Sequence, residues 1–334
     1  MPVSITSKIS REEIGNSLID SHTHACGINY TNYYLEAFPY CCNVTELILN
    51  MEKNNIGYAV TFPVVSNINT ANSPIIDKEI REVIKKYESC PYYYENLRLL
   101  KETEIYGKNK ILPFVIISLD SKVEEQIQHI HTLEEKYNIY GFKIHPSSDQ
   151  KSLLSIINND TLMRFISENK KPVTIHSSFD DFSLPSSFFP VFEELSDIRF
   201  CVAHIGRMEK KFIERLNYYS NIWIDISPLK KLTSYLKEQY NKKNDKVYNF
   251  DYSNIIEFVN FLYSNFGDKV IFGTDFPWVN CGYLNNNLAN KLYDEYGENI
   301  KILDLLDKSI VDKIANENTK DYLFGKVKER KLIK

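Results

Sequence analysis

The chain has 334 residues, six cysteines and a formal net charge of −4, with 43% hydrophobic and 25% charged residues. That length buries a full core without disulfides or a structural metal, so a metal here would serve chemistry. The acidic balance excludes a general affinity for nucleic acid or anionic membrane, no run approaches the ~20 apolar residues of a membrane span, and reduced thiols without a leader segment read as a cytoplasmic protein.

Short, β-branched apolar runs bounded by turn residues read as buried parallel strands. In chain order they are LIDSHTH (18–24), GYAVTFPVV (57–65), ILPFVIIS (111–118), YGFKIHP (140–146), PVTIHSS (172–178), RFCVAHIG (199–206), IWIDIS (222–227) and VIFGTDFP (270–277). Amphipathic helical segments lie between them, such as SKVEEQIQHIHTLEEKYN, SLLSIINNDTLMRFISENK and NIIEFVNFLYSNFG. Eight alternating units predict a closed (β/α)8 TIM barrel, one domain over residues 1–334. A doubly wound open sheet is the alternative, but no Gly-rich phosphate turn follows the first strand. Connections 25–50, 66–110 and 228–255 are longer than a simple barrel needs and rich in Tyr. They leave the C-terminal ends of strands one, two and seven, the face where barrels build active sites, and read as a lid or pocket wall, or as plain rim packing.

Five of these strands carry His, Lys or Asp near their C-terminal ends: His22 and His24, Lys143 and His145, His176, His204, and Asp275. Burying such groups without partners costs several kcal/mol, and a shared cation is the partner that serves them all. Residues i and i+2 of a strand share a face, so His22 and His24 both aim inward. With His176 and Asp275 they would form a four-ligand shell suited to Zn²⁺. A second His-x-His pair, His129 and His131, lies in a helical pattern. There i and i+2 diverge by about 200°, so one ring is expected in solvent and the other against the barrel flank.

The ordered set IDSHTH, GFKIHP, VTIHSS, VAHIGR, FGTDFPW and ENTKDYLFG resembles the amidohydrolase superfamily. More narrowly it resembles the amidohydrolase-2 branch, which holds lactonases, other hydrolases and the aminocarboxymuconate-semialdehyde decarboxylase group. The resemblance implies His22, His24, His176 and Asp275 as ligands of one divalent ion, Zn first. It makes Asp275 also the catalytic base, and His204 a catalytic group beside the metal. Lys143 or His145 would be the strand-four ligand; a second metal bridged by carbamylated Lys143 ranks behind the one-metal site.

The chemistry expected is a metal-activated water that cleaves a C–N or C–O bond of an amide, cyclic amide or lactone. The alternative is non-oxidative decarboxylation of a small aromatic or dienoic acid on the same metal. Arg207 is a candidate for gripping a substrate carboxylate, or else a surface ion pair, and Trp278 a candidate pocket wall, or else a rim plug. Asp225, Ser227 and Asp20 are candidates for orienting the ligand rings. Cys26 reads as a buried thiol near the pocket. The partner expected is a small-molecule substrate, with no nucleic acid or membrane; a homodimer is left open.

Overall fold

Strands buried on both faces and joined by helices can pair only in parallel, and right-handed crossovers lay each one beside its predecessor. The computed structural model describes residues 7–25, 43–64, 90–119, 122–243, 252–277 and 295–327. All eight expected strands are present: β1 (Ile19–Ala25), β2 (Tyr58–Pro63), β3 (Ile111–Ile116), β4 (Gly141–Ile144), β5 (Val173–Ile175), β6 (Phe200–Val202), β7 (Ile222–Asp225) and β8 (Val270–Ile271). They form one parallel sheet in sequence order. The chain beyond β8 then runs along β1. Ser21 N–H donates to Phe272 O at 2.9 Å, Asp275 N–H to His22 O at 2.7 Å and His24 N–H to Phe276 O at 2.5 Å. The result is the (β/α)8 barrel.

The connecting helices are α1 (Val44–Lys53), α2 (Tyr93–Tyr106), α3 (Val123–Glu134), α4 (Asp160–Asn169), α5 (Phe189–Glu194), α6 (Lys210–Arg215), α7 (Leu229–Lys243) and α8 (Ile255–Phe266). Local sequence explains their starts. Asn43 and Glu46 form a reciprocal capping box on α1, which then buries Val44, Leu47, Ile48 and Met51 at helical spacing. Among the described residues no helix is long and apolar enough to cross a membrane.

All three of the expected long connections are partly helix, α1 starting at Val44 within the first. The Tyr-rich stretch CPYYYENLRLL becomes α2 from Tyr93 onward. Leu99 and Leu100 are buried, and the Asn96 amide pairs with both the N–H and the C=O of Ile116 on β3, at 2.8 and 3.0 Å. These residues therefore pack on the barrel instead of forming a lid. Likewise α7 takes up the first half of 228–255. The remainder of the three connections, apart from α1 and residues beside α2 and α8, lies outside the described residues.

The lower barrel interior is filled by Ile19, Val60, Phe62, Leu112, Phe114, Cys201, Trp223, Ile271 and Tyr322. Tyr322 arrives from the C-terminal helix Asn318–Phe324, and its hydroxyl lies 2.8 Å from Thr174 Oγ1. The Asn318 amide donates to Gly267 O and Val270 O at 2.6 and 2.8 Å, and that of Asn316 to Ser17 O at 2.7 Å. The ENTKDYLFG segment is thus a plug for the end opposite the polar rim.

Strict alternation cannot put both Ile19 and His22 inside, because they differ by three positions. The pairing of β1 with β2 shifts between Asp20 and Thr23, where three residues of β1 advance against two of β2. This bulge lets Ile19 join the apolar floor while His22 and His24 face the same interior higher up. Opposite it, the chain just after β8 approaches unusually closely: a Cβ added at Gly273 would lie 2.8 Å from His22 Cβ. Gly273→Ala is therefore expected to destabilise the barrel by about 1–3 kcal/mol through overpacking at this seam. Urea unfolding checks it; an unchanged midpoint would show that the seam can relax.

Candidate metal centre and active site

The polar strand tips converge at the C-terminal end of the barrel. His22 Nδ1 lies 2.8 Å from Asp225 Oδ2, His24 Nδ1 3.1 Å from Pro63 O, and His204 Nδ1 2.7 Å from Ser227 O. A carbonyl or ionised carboxylate oxygen can only accept, so each neutral ring carries its proton on Nδ1 and a lone pair on Nε2. His204 Nε2 then accepts from His176 Nδ1 at 3.2 Å, which leaves the lone pair of His176 on its Nε2 as well. Burial lowers the pKa of His24, takes His204 to about 3 and moves His176 well below the usual imidazole value. Neutral rings with Nε2 lone pairs are the form a metal requires.

Asp275 Oδ1 sits 3.4 Å from both His22 Nε2 and His24 Nε2. Burial pushes this carboxyl up, but the histidines around it outweigh that and hold Asp275 well below the ordinary carboxylate range. Two lone pairs and an anionic oxygen thus face one another, and ligand atoms of His22, His24 and Asp275 lie within 4.8 Å of one another. Such an arrangement of acceptors fits a cation. Zn²⁺, with its preference for imidazole nitrogen and carboxylate oxygen, matches the donor set.

His176 stands beside this triad instead of within it, with its ring parallel to His145 at 3.9 Å. Lys143 is fully buried, 3.3 Å from His22 Nε2 and over the Phe62 ring at 4.4 Å. Burial lowers its pKa to about 8, against Asp225 and Asp275, which raise it. His145 caps the short helix Pro146–Asp149, its Nδ1 accepting from Ser148 N–H at 3.2 Å.

Asp225 is the hub behind the ligands. Besides His22 it accepts from His204 N–H at 3.1 Å, Ser227 N–H at 3.0 Å and Ser227 Oγ–H at 2.5 Å. Burial opposes its charge, yet His22, His204 and Ser227 keep it strongly acidic. Asp20 plays a different part. It accepts from Thr274 N–H at 3.0 Å, Thr274 Oγ–H at 2.7 Å and His22 N–H at 3.2 Å, and so clamps β1 to the chain after β8 without touching a ligand ring.

Beyond β6 the backbone makes a left-handed turn: φ is 59° at His204, 57° at Ile205, 54° at Gly206 and Arg207, and 53° at Met208. For non-glycine residues this conformation costs about 1–2 kcal/mol each, so the surroundings must hold it. A Cβ at Gly206 would lie 2.5 Å from the Phe212 ring, so the turn needs glycine there. The turn carries Arg207 back over β5, where its Nε–H donates to Ser177 O at 2.9 Å and its guanidinium lies 5.6 Å from the Tyr235 ring. Arg207 is therefore a half-buried cation beside the chain that follows β5. Sequence reasoning missed Phe62 and Tyr235. Alternation along β2 could have found Phe62, two residues beyond Val60; Tyr235 falls in the Tyr-rich connection 228–255, but no pattern singled it out there. Trp278 and Cys26 lie outside the described residues.

The second His-x-His pair behaves as its helix dictates. His131 is exposed, 3.4 Å from Glu134, while His129 stacks on Tyr93 at 3.9 Å.

A family model described as amidohydrolase (Amidohydro_2) matches residues 83–322, well over half of the chain. The chain belongs to the amidohydrolase-2 family. The match contains Lys143, His145, His176, His204, Arg207 and Asp275; His22 and His24 precede it and join the site through the fold. No curated protein matches this amidohydrolase. Solved structures do. A probable 2-pyrone-4,6-dicarboxylic acid hydrolase from Acinetobacter baumannii with citric acid bound is 16% identical, with 92% of this chain and 99% of that one covered and a TM-score of 0.53. An amidohydrolase from Burkholderia multivorans with bound zinc is 12% identical, with 91% and 97% covered and a TM-score of 0.56. The Metarhizium anisopliae IDCase, in apo form, is 12% identical, with 92% and 97% covered and a TM-score of 0.53. At these identities the likeness establishes a shared fold.

Proposed function

We propose that this amidohydrolase is a metal-dependent hydrolase that cleaves a C–N or C–O bond of a small amide, cyclic amide or lactone. The observation that carries the reading is the convergence of His22 Nε2, His24 Nε2 and Asp275 Oδ1 as acceptors with no proton among them. His176 is the fourth ligand in this reading, since its Nε2 also bears a lone pair. When bound, a divalent ion supplies Lewis-acid polarisation and makes water a nucleophile near neutral pH.

Asp275, ionised at neutral pH, takes the proton of the attacking water and returns it to the departing nitrogen or oxygen. His204, neutral and protonated at Nδ1, cannot donate to an oxyanion; its Nε2 lone pair holds the His176 ring in place beside the triad. Arg207 meets an anionic substituent of the substrate. The zinc of the Burkholderia relative and the hydrolase named among the solved relatives support this assignment. A two-ion site bridged by carbamylated Lys143 ranks second: a buried amine with its pKa near 8 has an unusually large neutral fraction.

The same atoms would serve a decarboxylase, so the test runs both chemistries side by side. Zinc-loaded protein is assayed for acid release from lactones and cyclic amides and for CO₂ release from aromatic and dienoic acids. Acid release without CO₂ is expected; CO₂ release with no ring opening would overturn the hydrolase reading.

A further inference from the structure

The proton inventory of the site has one exception. His22, His24 and His204 give Nδ1–H to acceptor-only oxygens, and His176 gives its own to His204. Four rings thus present lone pairs at Nε2. His145 is reversed: the backbone N–H of Ser148, which can only donate, is shared between His145 O at 3.0 Å and His145 Nδ1 at 3.2 Å, with the Ser148 hydroxyl, able to donate or accept, 3.0 Å from Nδ1. A proton on Nδ1 would meet that backbone N–H, so the neutral ring carries its proton on Nε2, the edge turned away from the helix start. The orientation is fixed from two sides. The Pro146–Asp149 helix start holds the Nδ1 edge, and the face lies parallel to His176 at 3.9 Å with 11° between the planes. The ring is half-buried at the polar end of the barrel.

A ring protonated at Nε2 cannot ligate a metal through that atom, which argues against His145 as the strand-four ligand. We propose instead that His145 is a substrate-contacting residue, whose Nε2–H donates to an oxygen of the bound substrate beside His176. It supplies the hydrogen-bond donor that His204, with its proton committed to Ser227 O, does not. A substrate with an acceptor oxygen next to its metal-facing group, such as a carboxylate or lactone carbonyl, fits this donor. This inference rests on the metal-site reading only for the place where that group binds.

The test uses the full-length zinc-loaded protein with oxalate, an acceptor-only dianion, as probe. Ring nitrogen–proton NMR spectra of the histidine-labelled wild type and His145→Asn assign the His145 tautomer. A proton on Nε2 is expected, and a proton on Nδ1 overturns the proposal. Two variants then separate donor from cap. Asn keeps a capping oxygen for Ser148 N–H and loses the donor, while Gln keeps a donor near Nε2 and loses the cap. His145→Asn is expected to weaken oxalate about ten- to a hundred-fold with zinc content and Tm unchanged, and His145→Gln to stay within about threefold of wild type. Equal affinity in wild type and His145→Asn, equal loss in both variants, or no oxalate binding by zinc-loaded wild type overturns it. A wild type that takes up no zinc contradicts the metal reading instead, and the tautomer of the metal-free protein then decides this one.

Discussion

Asp275→Asn lowers turnover by about 10²–10⁴-fold, the range that a positioned general base supplies. The amide keeps an oxygen where Oδ1 sits, 3.4 Å from His22 Nε2 and His24 Nε2, so zinc still binds at saturating concentration. What disappears is the group that accepts a proton and returns it. Because that exchange occurs only on the way to the transition state, kcat and kcat/KM fall together while KM stays near the wild-type value. Steady-state kinetics on the substrate found in the panel, alongside metal analysis, provide the check. Full residual activity would remove Asp275 from the role of base.

Asp225→Asn is the second large effect, and it comes from a residue that does not contact the triad's open centre. One carboxylate oxygen accepts from His22 Nδ1, and the other from His204 N–H and both donors of Ser227. An amide has only one acceptor oxygen. If its NH₂ faces His22, the ring must shift its proton to Nε2 and lose the lone pair it offers a metal. If the NH₂ faces the other side, two buried backbone N–H groups are left facing a donor. Either way zinc affinity is expected to fall about 10–100-fold, as for other orienting partners of ligand imidazoles. Competition against a chromophoric chelator measures it. Wild-type affinity in the variant would show that His22 needs no carboxylate behind it.

Much of this site was legible in the sequence, and the parts that were not share a physical cause. The eight strands follow from local runs of buried apolar residues, a short-range property. The contrast between His22–His24 and His129–His131 follows from the period of the element beneath each pair, and the two pairs part company as the periods require. Asp225 and Ser227 were readable as orienting groups because strand seven ends beside strand six in any eight-stranded barrel. The bulge in β1 was not readable, since it exists only relative to β2. Nor was the left-handed run from His204 to Met208: apart from Gly206 its residues have no preference for positive φ, and packing around Phe212 and Ser177 imposes it. The reversal of His145 depends on a helix of four residues starting at Pro146, too short to leave a periodic signal. The Tyr cluster at 92–94 left pocket wall and rim packing both open, because aromatic content does not choose between them; the helical spacing of Asn96, Leu99 and Leu100 sets this described stretch against the barrel.

His22, His24 and Asp275 are expected to hold a catalytic cation, and elemental analysis of the full chain tests this. The protein is purified without chelators, and wild type is measured beside His22→Ala/His24→Ala. About one equivalent of divalent metal per chain, zinc foremost, is expected in the wild type and almost none in the double variant. A wild type without bound metal that takes up none from added zinc, or a double variant that retains the full equivalent, would contradict the account.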